Sequence, residues 1–327
     1  MASKGPFGAG IALCEGRFVP VEEARIPLLD WGFLRSDAVQ DTVSVFHGRF
    51  FRLEDHLDRF ERNTSHLRLV NPYAREEVRA ILAEAVRRTG FREAYVQMLI
   101  TRGRAPIGSR DVRLAKNQFW MFCLPYVWIA RPEQKQRGLS LHVSGIQRVP
   151  KETVDPRIKH YHWLDFQMAL LEGYDRGADT CVVVDRNGNV AEGPGFNIFA
   201  VNGSIVATPP EDVCLDGMTR DTVFKLAAET NLVIRKQSVS SEMLRSADEV
   251  FISTTGGGVI SITTVDGTSI ASGQPGPVTR RLDELYWSKR RAGWLTTPID
   301  YDAAPQSLPR RLAEEGRVRG GRVVDGS

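Results

Sequence analysis

The chain has 327 residues, of which 42% are hydrophobic and 25% are charged, and its formal net charge is +3. This length accommodates two domains of ordinary size, each with its own hydrophobic core. Charges of both signs are spread along the chain and form no basic block. The charge distribution therefore gives no reason to expect nucleic-acid or membrane partners. Composition therefore favours a soluble globular protein that acts on small molecules.

The cysteines and the apolar runs indicate the compartment. The chain has four cysteines, namely Cys14, Cys123, Cys181 and Cys214. They lie far apart and form neither a CxxC pair nor a metal-ligand spacing, so free thiols in a reducing compartment are expected. No apolar run reaches membrane-spanning length, and the N-terminus lacks the apolar core of a signal peptide. We therefore expect a cytoplasmic location.

The first part of the chain mixes strand-like and helix-like segments. Strands are predicted at 11–19, 93–103 and 117–129, and helices at 53–67 and 75–90. Adjacent strands among helices favour an α+β fold over a doubly wound parallel sheet. The polar stretch at 130–138 is interpreted as a linker between a smaller N-terminal α/β domain, residues 1–129, and a larger C-terminal domain, residues 139–301.

The second part continues with a predicted strand at 139–148 and an apolar helix that Lys159 opens. A hairpin at 197–209 is predicted to pivot on Asn202-Gly203. The other predicted elements are strands at 180–185, 232–239 and 248–255 and helices at 219–231, 241–247 and 276–293. Residues 302–327 are rich in Pro, Gly and Arg and are expected to form a flexible tail.

Four segments of this second part carry groups suited to one chemistry. Lys159 is one of eight lysines in a chain with 35 arginines, which favours an amine with an accessible neutral form at this position. Glu192 lies in AEGPGFN, whose glycines let a planar ligand approach the backbone. LDGMTRD, residues 215–221, opens a helix with free amides, and STTGGG, residues 253–258, adds hydroxyls and amides. Both segments are therefore candidate anion sites.

An amine, a carboxylate and two anion-binding turns match the polar groups of pyridoxal 5'-phosphate. The phosphate of this cofactor needs amides and hydroxyls, and its aldehyde needs a lysine. Its ring nitrogen needs a carboxylate that holds a proton in place, because only the protonated ring is a strong electron sink. The sequence therefore predicts a site for pyridoxal 5'-phosphate.

The order and spacing of these motifs resemble the class IV aminotransferases, the pyridoxal-phosphate family of branched-chain and D-amino acid aminotransferases, and most closely its (R)-selective amine transaminase branch. IKHYHW resembles the Schiff-base lysine segment, AEGPGFN the glutamate segment at the ring nitrogen, and LDGMTRD with STTGGG the phosphate cup. DHLDRF adds Arg59, which resembles the family's phosphate-binding arginine. The resemblance covers residues 11–301 and implies a two-domain fold of type IV, similar to D-amino acid aminotransferase.

The resemblance also implies site residues and partners. Lys159 is the implied catalytic residue. The implied cofactor-binding residues are Arg59, Lys159, Glu192, Gly195, Phe196, Met218, Thr219, Thr254 and Thr255. Asp216 stands where the family usually has proline, and Met218 where amine transaminases usually have isoleucine. The family is dimeric, so we expect a homodimer in which the neighbouring subunit completes the active site, with an amine donor and a keto acid as small-molecule partners.

The substrate residues separate the branches of the family. Branched-chain enzymes bind the substrate carboxylate with an arginine at the position of Gln97, two residues after Tyr95, and a neutral glutamine does not supply this ion pair. D-amino acid enzymes carry an Arg-x-His pair in the loop after TRG, where this chain has Arg104 and Arg110 but no histidine. The sequence therefore matches neither of these two patterns.

The remaining features resemble the (R)-amine transaminases. Arg35, the apolar stretch VSVF and Trp163, four residues past the lysine, fit that branch. The predicted substrate-binding residues are Arg35, Tyr95, Gln97, Arg104, Arg110 and Trp163. One of the two loop arginines is predicted to bind the keto-acid carboxylate, while Arg35 reaches in from the partner subunit. The predicted activity transfers the amino group of an (R)-configured primary amine to a keto acid such as pyruvate in a ping-pong course.

Three alternatives stay open. They are a D-amino acid aminotransferase that uses Arg35 with Arg104 or Arg110, an aminodeoxychorismate lyase-like enzyme, and a non-catalytic pyridoxal-phosphate-binding protein. Taken singly, each residue also has an ordinary explanation, such as a surface ion pair for Arg59. The histidines around Lys159 show no HExxH or other ligand spacing, so no metal site is expected.

Overall fold

The computed structural model describes residues 9–304, which contain fifteen strands and eight α-helices. The strands are β1 (Ile11–Cys14), β2 (Arg17–Pro20), β3 (Ala38–Phe46), β4 (Arg49–Phe51), β5 (Ala94–Arg104), β6 (Lys116–Pro125), β7 (Leu139–Gln147), β8 (Thr180–Val184), β9 (Asn197–Asn202), β10 (Ile205–Thr208), β11 (Val233–Lys236), β12 (Glu249–Thr254), β13 (Gly258–Val265), β14 (Thr268–Ser269) and β15 (Thr296–Pro298). The helices are α1 (Trp31–Arg35), α2 (Leu53–His66), α3 (Arg75–Thr89), α4 (Pro132–Arg137), α5 (Leu164–Asp175), α6 (Met218–Ala227), α7 (Ser241–Arg245) and α8 (Pro277–Arg291). From residue 305 on, the predicted tail lies outside the described residues.

The first sheet has the strand order β15-β4-β3-β5-β6-β1-β2, and all its pairs are antiparallel. Helices α2 and α3 cover one face, where Leu57 and Phe60 of α2 pack in the same core as Val43 and Val96 of the sheet. Side chains alternate between the two faces of a strand. The opposite face of β3 and β5 therefore carries the other set of side chains, among them Gln97.

The second sheet has the order β11-β10-β9-β12-β13-β7-β8, with β14 beside β13. Three pairs, β7–β8, β7–β13 and β10–β11, are parallel, and the others are antiparallel. Helix α5 packs on this sheet through Phe166 and Ala169 against Cys181 and Val183, while α6 and α8 contribute to a separate core with β9 and β12. Two largely antiparallel sheets with helices on their faces confirm the predicted α+β fold.

Two hairpins differ in detail from the prediction. The predicted strand 11–19 is a hairpin of β1 and β2, because Glu15 and Gly16 adopt left-handed φ values of 47° and 74° and reverse the chain. In the second hairpin Asn202 pairs with Ile205, so the two-residue turn is Gly203-Ser204 rather than Asn202-Gly203. A positive φ at Gly203 alone is typical of a type II′ turn.

Lys159 does not lie on a helix, which corrects the prediction that it opens one. Helix α5 begins at Leu164, and Lys159 precedes it in an extended segment. The backbone N–H of Gln40 donates to the carbonyl oxygen of Lys159 at 2.9 Å, and His160 forms a bridge with Val39. Pairing with β3 keeps this segment extended and holds Lys159 at the junction of the two sheets.

Other segments were assigned incompletely from sequence. Strand β13, a run of mainly β-branched residues, was not predicted, and neither was most of β3. The segment 130–138 contains helix α4, which begins with Pro132 at its first position. Strand β15 returns to pair with β4 of the first sheet, so the division of the chain into domains at 130–138 stays a prediction. Within residues 9–304, no helix is long and apolar enough to span a membrane.

Candidate active site

A cavity lies where the end of β12, the start of α6 and the Lys159 segment meet helix α2. All nine residues predicted to bind the cofactor line it, namely Arg59, Lys159, Glu192, Gly195, Phe196, Met218, Thr219, Thr254 and Thr255. Trp163, predicted to contact substrate, lines it as well. Segments that are distant in sequence are thus brought together around one cavity.

Lys159 supplies the amine of this cavity. Burial lowers the pKa of its ammonium group to about 8, and the nearby cation of Arg59 acts in the same direction. The carboxylates of Asp41 and Glu192 oppose this shift. About half of the Lys159 side chains are therefore neutral at a pH of about 8, whereas an ordinary lysine is neutral in well under about 1% of molecules there. A neutral amine is the form that attacks a carbonyl carbon.

Glu192 is held in place by a buried arginine that the sequence did not reveal. Its Oε1 accepts a hydrogen bond from Arg148 Nε at 3.0 Å, and its Oε2 accepts one from the backbone N–H of Leu215 at 2.9 Å. Arg148 also donates to Asp165 Oδ2 at 2.7 Å and lies over the ring of Phe166. Burial raises the pKa of Glu192, and Arg148 acts against that shift. The carboxyl group is therefore fixed in orientation, with a cation beside it.

Arg59 is oriented by the carboxylate of Asp41. Its Nε and Nη2 donate to the two oxygens of Asp41, both at 2.8 Å, and His56 Nδ1 lies 2.7 Å from Asp41 Oδ1. Burial raises the pKa of Asp41, but Arg59 and His56 together lower it well below its usual range. The Nη1 of Arg59 donates to the carbonyl oxygen of Asp216 at 2.7 Å. Asp216 thus meets Arg59 through its backbone rather than through its carboxylate.

The start of α6 forms the first anion-binding turn. Gly217 is the residue before the helix, and its carbonyl oxygen accepts from the backbone N–H of Asp221. The amides of residues 218–220 therefore make no hydrogen bond within the helix. A Cβ on Gly217 would lie 2.0 Å from Asn197 Oδ1, so only glycine fits there. Thr219 is buried and lines the cavity. These groups suit a phosphate.

The turn after β12 forms the second anion-binding turn. Thr254 Oγ1 donates to the carbonyl oxygen of Gly195 at 2.9 Å and accepts from the N–H of Gly256 at 3.2 Å. Tyr126 donates its hydroxyl hydrogen to the carbonyl oxygen of Thr255 at 2.6 Å. Gly195 has a φ of 84°, which a residue with a side chain rarely adopts. The hydroxyl of Thr254 therefore ties the turn to Gly195, while Thr255 lines the cavity.

Tyr95 and Gln97 lie outside the cavity lining, in a neutral polar row on the face of β3 and β5 that is opposite to α2 and α3. Gln97 Nε2 donates to the hydroxyl of Tyr161 at 2.7 Å, and Thr42 Oγ1 is 3.4 Å from both Tyr95 Oη and Gln97 Oε1. Tyr161 is two residues past Lys159, so the row ends on the segment that carries the amine. None of the side chains bonded in this row is charged.

The three predicted substrate arginines are not brought to the cavity of this chain. Arg35, Arg104 and Arg110 are exposed, and none of them lines the cavity. The guanidinium of Arg35 lies 3.7 Å from the ring centre of Trp31 on its own helix. The roles assigned to these arginines stay predictions. Among residues 9–304, no group of three His, Cys, Asp or Glu side chains is placed to hold a metal ion.

The residues that are present fit pyridoxal 5'-phosphate. The cavity combines a cation and two amide-lined turns for the phosphate, a buried carboxyl for the ring nitrogen and an amine with a lowered pKa for the aldehyde. Two of its polar atoms, His160 Nε2 and Ser253 Oγ, are buried without a partner among the described residues. Buried polar atoms without partners are rare, so these two indicate a further polar group in the bound state.

Comparison with known proteins agrees with this geometry. The family described as amino-transferase class IV matches residues 38–265. A putative branched-chain-amino-acid aminotransferase of Methanocaldococcus jannaschii is 29% identical over 272 residues, which are 83% of this chain and 93% of that protein. A D-alanine aminotransferase of Bacillus licheniformis is 28% identical over 271 residues, again 83% of this chain and 93% of that protein.

A solved structure of a similar protein contains a form of the cofactor. The T.th. branched-chain amino acid aminotransferase, crystallised with pyridoxamine 5'-phosphate, is 28% identical and has a TM-score of 0.83, covering 90% of this chain and 100% of that one. The same protein was also crystallised with N-(5'-phosphopyridoxyl)-L-glutamate. Because the family matches most of the chain and a relative of the same fold binds this cofactor, the protein belongs to the class IV aminotransferases of fold type IV and uses pyridoxal 5'-phosphate.

Proposed function

We propose that this aminotransferase moves the amino group of an (R)-configured primary amine to a keto acid such as pyruvate. The observation that carries the proposal is the neutral row of Tyr95, Gln97 and Tyr161, which ends two residues past Lys159 in the chain. A substrate carboxylate placed against this row would lose its water without gaining a cation. An amine whose carbon carries an apolar group in place of the carboxylate avoids this penalty.

In this proposal each side chain of the cavity has one task. When bound, pyridoxal 5'-phosphate supplies an electron sink that stabilises negative charge at the amine-bearing carbon of the substrate. Lys159 binds the cofactor and then moves the proton at that carbon, for which its pKa of about 8 is suited. Glu192 holds the proton of the ring nitrogen, and Arg59, Thr219 and Thr255 bind the phosphate. Lys159 moves this proton in one direction when the amine donor reacts and in the opposite direction when the keto acid reacts. This reversal is consistent with a ping-pong course.

We also propose that the protein is a homodimer whose partner subunit completes the site. Apolar side chains are exposed along the stretch before Arg35, namely Ile26, Leu28, Leu29, Phe33 and Leu34. A second set, Leu164, Met168 and Leu171, lies on one face of α5. Exposed apolar groups of this extent are typical of interaction surfaces. Light scattering should give about twice the chain mass of 36.5 kDa, and Leu28→Asp should shift the protein toward monomer.

The named relatives favour other substrates, and one experiment separates these candidates. The holo-protein is mixed in turn with (R)-1-phenylethylamine, (S)-1-phenylethylamine, L-leucine and D-alanine, and the loss of the visible absorption of the lysine-bound cofactor is followed. The proposal predicts loss with the (R)-amine and little with the (S)-amine. Faster loss with L-leucine would favour a branched-chain aminotransferase, and faster loss with D-alanine a D-amino acid aminotransferase using the predicted arginines.

Two controls test the remaining alternatives. Release of pyruvate without an amino acceptor would support the lyase-like reaction, and the absence of a spectral change with all four donors would support a non-catalytic binding protein. Gln97→Arg is the matched variant, because it places a cation in the neutral row. It should raise the preference for L-leucine over (R)-1-phenylethylamine, and an unchanged preference would contradict the argument from the neutral row.

A further inference from the structure

His160 follows Lys159 directly and lines the same cavity. Its side chain is buried, with the residue 3% exposed. The ring Nδ1 accepts a hydrogen bond from the backbone N–H of His162 at 3.1 Å. The ring Nε2 is buried and has no partner among residues 9–304. The imidazole is therefore fixed at one nitrogen and unsatisfied at the other.

The protonation state of His160 follows from these contacts. Burial lowers the pKa of the His160 ring to about 3, and the cations of Arg148 and Lys159 act in the same direction, against the carboxylate of Asp165. The neighbouring ring of His162 also lowers it. A neutral imidazole that accepts at Nδ1 carries its hydrogen on Nε2. His160 thus presents a single N–H donor for which the described residues provide no acceptor.

The cofactor has one polar group that the cavity does not otherwise address. Its phosphate, ring nitrogen and aldehyde carbon are matched by the anion-binding turns, Glu192 and Lys159. The remaining group is the 3-oxygen, which is attached to the ring carbon next to the one that bears the aldehyde carbon. Ser253 Oγ is the other unpartnered buried atom in the lining, but it precedes Thr254 at the phosphate end. His160 adjoins Lys159 and is close to Arg148, the partner of Glu192.

We propose that His160 is a further cofactor-binding residue, whose Nε2–H donates a hydrogen bond to the 3-oxygen of the pyridoxal ring. The inference rests on the cofactor and is independent of which amine is the donor. A hydrogen bond to this oxygen withdraws negative charge from it, and this charge stabilises the proton on the lysine-bound nitrogen nearby. His160 therefore lowers the pKa of that nitrogen and favours its neutral form at physiological pH.

The test compares two substitutions of similar size. His160→Asn retains an acceptor near the position of Nδ1 but has no group at the position of Nε2, whereas His160→Gln places an amide N–H near Nε2. The visible absorption of the holo-protein is titrated with pH. The midpoint should rise by about one pH unit in His160→Asn, and His160→Gln should restore most of the wild-type value. Equal midpoints in wild type and His160→Asn, or equal shifts in both variants, would overturn the proposal.

A second measurement uses the wild-type protein, so that misfolding of a variant does not decide the outcome. The protein is labelled with ¹⁵N-histidine, and the His160 signals are recorded without and with pyridoxal 5'-phosphate. The proposal requires the Nε2–H tautomer in both states and a downfield shift of its proton on cofactor binding. A hydrogen on Nδ1, or an Nε2 proton that does not respond to the cofactor, would refute it. Neither readout depends on turnover, so failure here is distinguishable from failure of the proposed amine specificity.

Discussion

Replacing Arg148 by methionine tests whether this arginine keeps Glu192 as a buried carboxylate. The substitution removes the guanidinium that Glu192 and Asp165 share, and both acceptor side chains are at most 7% exposed. Removing one partner of a buried ion pair destabilises a protein by about 3–5 kcal/mol. Methionine keeps an apolar stem over Phe166, so little packing is lost. We therefore expect the free energy of unfolding of the apo-protein to fall by about 3–5 kcal/mol at neutral pH.

The pH dependence of this loss has a defined sign. Burial raises the pKa of Glu192 and Arg148 opposes the shift, so removing Arg148 moves the folded-state pKa further above the unfolded value. A carboxyl group with a raised folded-state pKa stabilises the fold only at low pH, and that contribution is lost as the pH rises through the folded-state pKa. The deficit of Arg148→Met should therefore grow between a pH of about 5 and a pH of about 8. Urea unfolding of wild type and variant at several pH values measures this deficit in the free energy of unfolding.

Two further variants act as controls. Arg113 forms an ion pair with Asp111 on the surface, and its side chain is 85% exposed, so Arg113→Met should leave the unfolding midpoint unchanged. Adding Glu192→Gln to Arg148→Met replaces the unpaired carboxyl by a neutral amide and should recover part of the loss. The reasoning is refuted if Arg148→Met behaves like Arg113→Met, or if its deficit is independent of pH.

Two other predictions concern the cofactor cavity. Because the pKa of Lys159 is about 8 instead of 10.5, the rate of cofactor capture by the apo-protein, followed by stopped-flow absorbance, should level off above a pH of about 8; a rate that still rises steeply at a pH of about 10 would contradict this. Asp41→Asn removes the carboxylate that orients Arg59, and fluorescence titration should give about tenfold weaker binding of pyridoxal 5'-phosphate. Asp111→Asn should leave the affinity unchanged, and equal affinities in the two variants would exclude the orienting role.

The set of residues that line the cavity was predictable from sequence because their motifs are local. Gly195 occupies a turn with a left-handed φ, and Gly217 precedes a helix, so both positions carry their geometry in a few residues. Asp41 and Arg148 were missed because their roles depend on contacts between distant segments. A signal for Asp41 was present, since it occupies one position of the alternating set that Val39 and Val43 continue on the same face of β3, and a buried acid is almost always paired. Arg148 follows β7 and carries no comparable signal.

The substrate side and the position of Lys159 were less predictable. Periodicity assigned Lys159 to the following helix, because the apolar run after it has helical spacing and the competing pairing with β3 is a tertiary contact. The roles predicted for Arg35 and Arg104 would depend on a second subunit and on loop positions, which short patterns do not fix. Strand β13 did carry a signal, a run of β-branched residues typical of a strand.

The end of the cavity that we propose for the phosphate also joins the two sheets. Arg52 and Arg59 lie near the start and the middle of α2, seven residues apart, and so face the same direction. Arg52 donates to the carbonyl oxygen of Met218 at 2.8 Å, and Arg59 to that of Asp216 at 2.7 Å. Helix α2 of the first sheet is thus attached to the start of α6. A ligand bound there contacts groups from both sheets and should stabilise their association.

Lys159→Ala tests this coupling apart from the covalent chemistry. The variant lacks the amine but keeps Arg59 and both anion-binding turns. A ligand that binds only the folded state stabilises it by about 2.7 kcal/mol at 100 times its Kd. Pyridoxal 5'-phosphate should therefore raise the Tm of Lys159→Ala in a single transition, and adding Arg59→Ala should abolish most of that rise. A Tm that does not respond to the cofactor would mean that the lysine, and not the phosphate site between the sheets, supplies most of the binding free energy.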